Sequence, residues 1–153
     1  MSEAPIDKAF VTNLTRRTVL AEHGKVLRDP LRMALGAMVR GLPGSLLFVW
    51  YRTGTIALTN WFVPVALDIV WLDDAGRVAD LREDFRPWSW RTVNSKPARY
   101  VLELPAGTLA RSGTRRGDML RCSKHAWRAR GPVPGWHTAL VGTLGTRARS
   151  RRR

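Results

Sequence analysis

The sequence predicts a mainly β (α+β) domain, a small bent-sheet or barrel-like fold with one or two short helices. Three observations support this fold class. β-Branched and aromatic residues form short runs, of which Leu46–Tyr51 is the strongest, and such residues favour strands. Turn-forming residues separate these runs at short intervals. The central run, Thr53–Leu81, contains the hairpin signal Asp73–Gly76 between two apolar segments.

The N-terminal part is predicted to form strands followed by one helix. Ala9–Leu14 and Thr18–Glu22 are apolar and β-branched, so we expect two short strands or one bent strand. His23-Gly24 is expected as a turn, and Lys25–Leu27 as the start of another strand. Asp29–Gly41 predicts a helix, because Asp is a good N-cap, Pro suits the first helical position and Gly ends helices.

The central part is expected to hold the heart of the sheet. Ile56–Leu72 should form two strands interrupted near Asn60–Pro64, and Gly76–Glu83 should be the hairpin partner. Asp84–Pro97 has the composition of a loop.

A final strand and a helix close the domain. Ala98–Leu104 alternates, which places Tyr100 and Leu102 on one face and Val101 and Glu103 on the other. A one-turn helix is expected at Thr108–Ser112 with Gly113 as its cap, a tight turn at Arg115–Asp118 and a last strand at Met119–Cys122.

The charge divides the chain into two parts. Lys and Arg number 26 against 12 Asp and Glu, a net charge of +14. Residues 122–153 hold eight of the basic side chains and no acidic one. We therefore predict a compact domain over residues 9–121 and a basic, mostly irregular extension over 122–153. Such an extension attracts nucleic acid or an anionic surface.

The extension leaves two interpretations open. It could bind nucleic acid by counterion release, which is insensitive to sequence and sensitive to salt. It could equally be a solvated end. The candidate nucleic-acid-binding residues are Arg147, Arg149, Arg151, Arg152 and Arg153.

Several classes of protein do not fit the sequence. Cys122 is the single cysteine, so no intrachain disulfide can form. His23, His125 and His137 lack the spacing of a zinc site, and we expect no metal and no cofactor. The N-terminus lacks a secretion signal and no uncharged stretch is long and apolar enough to span a membrane. We therefore expect a cytoplasmic protein without a transmembrane segment.

Asp68 is the most informative polar residue, because it interrupts an apolar strand. A buried carboxylate must find hydrogen-bond donors or change its pKa. It could belong to a ligand pocket together with Asn60 and Asn94 or Arg99. Alternatively, it could be a structural carboxylate that accepts hydrogen bonds from backbone N–H groups or from an arginine.

The loop after the hairpin combines aromatic and cationic side chains. Trp88 and Trp90 alternate with Ser89 and are followed by Arg91. Such a surface suits stacking on sugar rings or bases, with the guanidinium on an anionic group. The alternative is that both tryptophans cover one end of a barrel.

Several blocks resemble one known family, domain of unknown function 192. The most specific ones lie around Leu67–Ile69 and at Tyr100–Gly107, and together the blocks cover residues 9–121. The blocks are TRRTVLAE, DPLRMALGAMVRG, LLF, ALDIVWLDDAGRV, RPWSWR and ARYVLELPAGTLARSGTRRGDML. The resemblance implies a compact, mostly β fold and no particular activity.

Three functional hypotheses follow from these observations. The preferred one is a non-enzymatic binding module for a small polar or polyanionic ligand, whose site residues would be Asn60, Asp68, Trp88, Trp90, Arg91 and Asn94. The first alternative is a hydrolase or transferase that acts on a carbohydrate-like substrate, with Asp68 as general base. The second alternative is a protein that associates with nucleic acid or a membrane surface through residues 122–153.

Overall fold

The computed structural model describes residues 8–29, 44–61 and 63–123. Within them the chain forms nine strands and one short helix. In chain order these are β1 (Lys8–Asn13), β2 (Thr18–Leu27), β3 (Leu46–Gly54), β4 (Ala57–Leu58), β5 (Leu67–Leu72), β6 (Val78–Phe85), β7 (Thr92–Val93), β8 (Ala98–Pro105), α1 (Thr108–Ser112) and β9 (Leu120–Cys122).

Seven of these strands form one curled sheet in the order β6–β5–β8–β3–β2–β1–β9. Neighbours are antiparallel except β2 and β3, which are parallel. The two edges of the sheet meet, because the Leu120 amide donates to the Gly76 carbonyl and the Val78 amide donates to the Asp118 carbonyl. This half-barrel confirms the predicted mainly β fold.

The strands β4 and β7 form a second, two-stranded sheet in which Ala57 pairs with Val93. The segments around them contribute Ile56 and Val63 to an apolar cluster that also contains Trp71 and Val101 of the main sheet. The small sheet and its flanking loops therefore cover one face of the large sheet.

At β5 and β8 the large sheet is consequently buried on both faces. Successive side chains of a strand point to opposite faces, and β5 and β8 supply both. The inner core, within the curl, includes Val11, Leu20, Leu47, Val70, Leu72, Tyr100, Leu102, Leu104, Leu109 and Leu120. The outer core, beneath the small sheet, includes Leu46, Phe48, Ile56, Val63, Leu67, Ile69, Trp71, Phe85 and Val101.

The predicted hairpin at Asp73–Gly76 is confirmed. The Asp73 side chain accepts hydrogen bonds from the Ala75 and Arg77 amides at 2.9 Å, and Gly76 has φ +84°. The helix Thr108–Ser112 is also confirmed, with Gly113 at φ +64° as its C-cap.

Two predicted boundaries are wrong. The strand β2 runs unbroken through His23-Gly24, because Gly24 pairs with Ala9 across the ladder. A Cβ at Gly24 would lie 3.2 Å from the Ala9 carbonyl oxygen, so this glycine permits a close backbone approach instead of forming a turn. The predicted loop Asp84–Pro97 contains the end of β6 and all of β7.

Other predictions lie outside the described residues. These are the helix that follows Asp29 and the extension beyond Ser123, with its five arginines from Arg147 onward.

Candidate functional site

Three exposed tryptophans lie in the loops next to the small sheet, Trp61 after β4 and Trp88 and Trp90 before β7. Trp61, Trp88 and Trp90 are 39%, 60% and 73% exposed, and we call them the tryptophan platform. The rings of Trp61 and Trp90 meet edge to face, with centroids 5.6 Å apart and planes at 80°. The predicted alternative, in which Trp88 and Trp90 cover a barrel end, does not match this exposure.

Two exposed aliphatic side chains lie in the same part of the chain. Val93 belongs to β7, and Val65 lies in the loop before β5. Single exposed apolar residues are ordinary, whereas a contiguous apolar group is typical of an interaction site. The contact between Trp61 and Trp90 makes the platform a candidate for such a site.

Asn60 joins the two loops that carry the platform. Its side-chain Nδ2 donates to the carbonyls of Val65, Phe85 and Arg86 at 2.9–3.2 Å. Its backbone N–H donates to the Ser89 carbonyl, and its carbonyl accepts from the Trp88 amide. Asn60 is fully buried. It therefore holds the platform loops together from beneath and is not exposed to a ligand.

The backbone at Trp88 adopts an uncommon conformation. Its φ is +62°, in the left-handed region that bulky residues rarely occupy. The hydrogen bond from its amide to the Asn60 carbonyl, 2.8 Å long, holds this geometry. Such conformations persist only where surrounding structure enforces them, and they cluster at functional sites.

Asp68 is structural in this fold. It is 1% exposed; its Oδ1 accepts from the Asp84 amide at 3.0 Å and its Oδ2 from the Leu109 amide at 2.8 Å. The general-base hypothesis required an Asp68 that solvent could reach, so this geometry contradicts it. The carboxylate instead ties a bulge at the end of β6 to the first turn of α1.

Asn94 fixes the far end of the loop that carries Trp88 and Trp90, which we call the platform loop. Its Oδ1 accepts from the Ile56 amide at 2.6 Å, and its Nδ2 donates to the carbonyls of Gly54 and Lys96. It is buried. The three polar residues predicted for a pocket, Asn60, Asp68 and Asn94, are thus buried, and their side chains bond backbone groups.

The cations near the platform differ in their surroundings. Arg91 is exposed and has no acidic partner among residues 8–29, 44–61 and 63–123. Arg86 pairs loosely with Asp84 at 3.4 Å. Arg99 pairs with Asp74 at 3.0 Å, in the β5–β6 hairpin, and does not approach Asp68. Arg91 is therefore the cation that a ligand on the platform would meet.

A second polar cluster links the β1–β2 turn to the segment before β9. The Asn13 side chain donates to Thr114 at 3.0 Å and to the Asp118 carboxylate at 2.9 Å, and accepts from the Arg16 amide. Arg16 also donates to Asp118 at 3.0 Å. We call these four residues the polar lock.

Hydrogen bonds set the pKa of Asp118 in the polar lock. Burial alone would raise the pKa of this carboxyl, but hydrogen bonds from Arg16, Asn13 and the Arg115 amide outweigh burial and lower it. The same balance at Asp80, whose carboxylate is bonded by Ser95, Arg116 and Leu81, lowers its pKa to about 2. Both carboxylates are charged and structural at neutral pH.

Glu103 was not predicted as a functional candidate, although the alternation of β8 placed it beside Val101. It is buried, and its Oε2 has no hydrogen-bond partner within the described part of the chain. Burial raises the pKa of this carboxyl to about 7. The signal was visible in the sequence as an acidic residue on an apolar face.

Within residues 8–29, 44–61 and 63–123, no three His, Cys, Asp or Glu side chains gather as metal ligands would. In the same residues no helix has both the length and the apolar character needed to cross a membrane.

Two solved structures share this fold. A proposed transcription regulator from Sinorhizobium meliloti 1021 is 26% identical, with a TM-score of 0.69 over 80% of this chain and 98% of its own. A protein of unknown function from Novosphingobium aromaticivorans is 22% identical, with a TM-score of 0.67 over 78% of this chain and 91% of its own. The second likeness concerns the fold alone. A comparison with curated proteins found no match.

The family comparison agrees with the resemblance seen in the sequence. The model of domain of unknown function 192, described as an uncharacterised ACR family, matches residues 9–122. The match includes the strands of the curled sheet from Ala9 to Cys122 and the loop that carries Trp88 and Trp90. The chain belongs to the domain of unknown function 192 family.

Proposed function

We propose that this protein is a non-enzymatic binding module that takes a polyanionic ligand on the tryptophan platform. One observation carries the proposal. Trp88 and Trp90 are exposed at 60% and 73% on loops whose backbone is bonded to buried Asn60 and Asn94. Burying large aromatic rings would stabilise the fold. Because these rings stay exposed on a firmly held backbone, their surface is better explained as a binding surface for a partner.

The charge of the chain favours an anionic partner. Arg91 adjoins the platform, and the whole chain carries a net charge of +14. A strongly basic protein concentrates polyanions at its surface and accelerates their association. The arginines of the extension, from Arg147 to Arg153, lie outside the described residues and would add to the same attraction. The description of the Sinorhizobium relative as a proposed transcription regulator agrees with an anionic partner.

The small-molecule form of the binding hypothesis is less well supported. It needed a pocket beside Asp68 and Asn60, and both side chains are buried with their hydrogen bonds directed to backbone groups. A surface that binds an extended ligand fits the exposed rings better than a cavity does.

The test uses the double variant Trp88→Ala/Trp90→Ala in the full chain. We expect it to bind heparin, inorganic polyphosphate or a single-stranded oligonucleotide more weakly than the parent while it still unfolds cooperatively. Phe10→Ala is the matched control, because Phe10 is an exposed aromatic residue outside the platform. Unchanged binding of all three probes would overturn the proposal. Loss of cooperative unfolding would show that these rings stabilise the fold.

A further inference from the structure

We propose that the polyanion is single-stranded nucleic acid, with its bases stacked on Trp88 and Trp90 and a phosphate beside Arg91. This inference rests on the proposed function and names the ligand class of the same surface.

The exposed rings suit flat, unpaired groups. Stacking between a base and an aromatic side chain tolerates any sequence, because every base has a π face. Trp90 is 73% exposed and Trp88 is 60% exposed, so each presents ring surface to the solvent. In a duplex the bases already stack on one another, and heparin has no aromatic face. An unpaired strand is therefore the polyanion that gains most from this surface.

The ring geometry limits how many bases can stack together. Trp61 and Trp90 lie at 80° to each other, so one base cannot lie flat on both rings. Trp61 therefore acts as the ring that sets the orientation of Trp90. The two stacking positions we assign are Trp88 and Trp90, two residues apart in one loop.

The charges beside the rings suit a phosphate backbone. Arg91 directly follows Trp90 and has no acidic partner in the part of the chain that the structure describes. Asp84, near the end of β6, is the carboxylate nearest to Arg91 in sequence, and Arg86 offsets its charge at 3.4 Å. Guanidinium groups bind phosphate oxygens with charge-assisted hydrogen bonds. Together, stacking rings and an available cation are the pairing that single-strand-binding surfaces use.

The first experiment measures fluorescence anisotropy of a labelled single-stranded oligodeoxynucleotide of about 12 nucleotides, within the usual range of site sizes. We expect Trp88→Ala/Trp90→Ala to weaken binding roughly 100-fold, because each stacked base contributes about tenfold or more. Phe10→Ala should change the dissociation constant less than about twofold, since it removes no stacking partner. Should the double variant fail to fold, Trp90→Ala alone serves, with an expected loss of about tenfold.

Competitors separate this inference from the proposed function. The extension is present in every variant, so its contribution cancels when a variant is compared with the parent protein on the same probe. The inference stands if the double substitution strongly weakens binding of the single strand but only slightly weakens binding of heparin and of a duplex of the same sequence. If the double substitution weakens binding of heparin and of the single strand equally, the platform binds polyanions without stacking and the inference is overturned. If no probe is affected, both proposals are overturned.

Anionic phospholipid vesicles form the last arm. Vesicle binding that depends on Trp88 and Trp90, together with single-strand binding that does not, would assign the platform to a membrane surface and overturn the inference. The role of the charge is tested with Arg91→Gln. This substitution should reduce the salt dependence of oligonucleotide binding by the amount expected for about one phosphate contact. Arg121→Gln, an exposed arginine on β9, should leave the salt dependence unchanged.

Discussion

Two regions of this molecule are each held together by the side chain of one buried asparagine, but their surfaces differ. In the tryptophan platform, buried Asn60 bonds the carbonyls of Val65, Phe85 and Arg86. In the polar lock, buried Asn13 bonds Thr114, Asp118 and the Arg16 amide. In each case one amide side chain holds two loops together that are distant in sequence.

The surfaces above these two asparagines differ. Over the polar lock, Arg16 pairs with Asp118 at 3.0 Å, so the cluster satisfies its own charges. Over Asn60, the exposed groups are Trp61, Trp88 and Trp90, whose apolar surface stays in water. A loop held only for stability has no need of such exposure. The comparison therefore supports the proposal that the platform is shaped for a partner, whereas the contacts of the polar lock stabilise the fold.

The largest expected effect comes from removing either asparagine. Asn60→Ala leaves buried carbonyls unpaired, and we expect the free energy of unfolding to fall by roughly 4 kcal/mol. Asn13→Ala should cost a similar amount. Chemical denaturation measures both, and oligonucleotide binding at a temperature where both variants are folded separates them. Only Asn60→Ala should weaken binding. Equal loss of binding in both variants would show that the two regions do not differ in function.

Glu103, which belongs to neither region, should make the stability of the fold depend on pH. Its pKa is about 7 when folded, against an ordinary value of 4.5, so the folded state holds its proton more tightly. The contribution of Glu103 to stability is therefore fully present below pH 4.5 and is lost as the pH rises to about 7. At about 1.4 kcal/mol per pKa unit, the loss is roughly 3 kcal/mol.

Replacing this carboxyl should remove the loss of stability that occurs as the pH rises from 4.5 to about 7. Glu103→Gln should make the free energy of unfolding nearly independent of pH in that window, as measured by urea unfolding at several pH values. A parent protein that is equally stable on both sides of the window would contradict the burial assigned to Glu103.

Asp68 should have a smaller effect on stability. Asp68→Ala leaves the amides of Asp84 and Leu109 without an acceptor, and we expect a loss of about 2 kcal/mol. Asp68→Asn keeps one acceptor oxygen and should lose about half of that. Thermal unfolding measures both. A variant of unchanged stability would mean that the bulge at the end of β6 does not need this carboxylate.

Acid titration should affect the polar lock and Asp80, whose carboxylate accepts from the Ser95 amide beside Asn94, and should leave the contacts of Asn60 and Asn94 in place. The pKa of Asp118 is lowered by its hydrogen bonds, so its contribution to stability is present above its unfolded pKa and is lost as the pH falls through its folded pKa. Asn60 and Asn94 do not titrate. Asp118→Asn should therefore flatten the acid limb of the stability curve by about 1 kcal/mol. An unchanged acid limb would contradict the role of the lock.

Replacing Arg86 should have the smallest effect. Its ion pair with Asp84 is 3.4 Å long, with side chains 81% and 60% exposed, and such pairs contribute less than about 1 kcal/mol. Arg86→Gln should unfold at nearly the parent's denaturant midpoint. A clear shift would mean that Arg86 contributes to the loop beyond this pair.

Local signals predicted much of this fold. The Asp73–Gly76 hairpin, the fully apolar strand at Leu46 and the glycine cap at Gly113 each depend on neighbours in sequence, and all three are confirmed. Gly24 was misjudged because a glycine in a turn and a glycine in a close ladder look alike until the partner strand is known.

The roles of the polar residues were harder to predict. Asp68 accepts from amides 16 and 41 residues away, and Asn60 donates to carbonyls 25 and 26 residues away. Sequence context shows that such side chains need partners, but not whether those partners are backbone groups or a ligand. Trp88 and Trp90 were named as candidates from sequence, and the structure adds that they are exposed, while their role in binding stays a prediction.

The most direct test of the central claim is an NMR titration of the indole N–H signals. Single-stranded oligonucleotide is added to the ¹⁵N-labelled full chain, with Trp→Phe variants for assignment. We predict that the signals of Trp88 and Trp90 shift or broaden. The signal of Trp71, whose Nε1 donates to the buried Ile56 carbonyl, should stay in place. Unmoved signals from Trp88 and Trp90 at saturating oligonucleotide would contradict the platform as the binding surface.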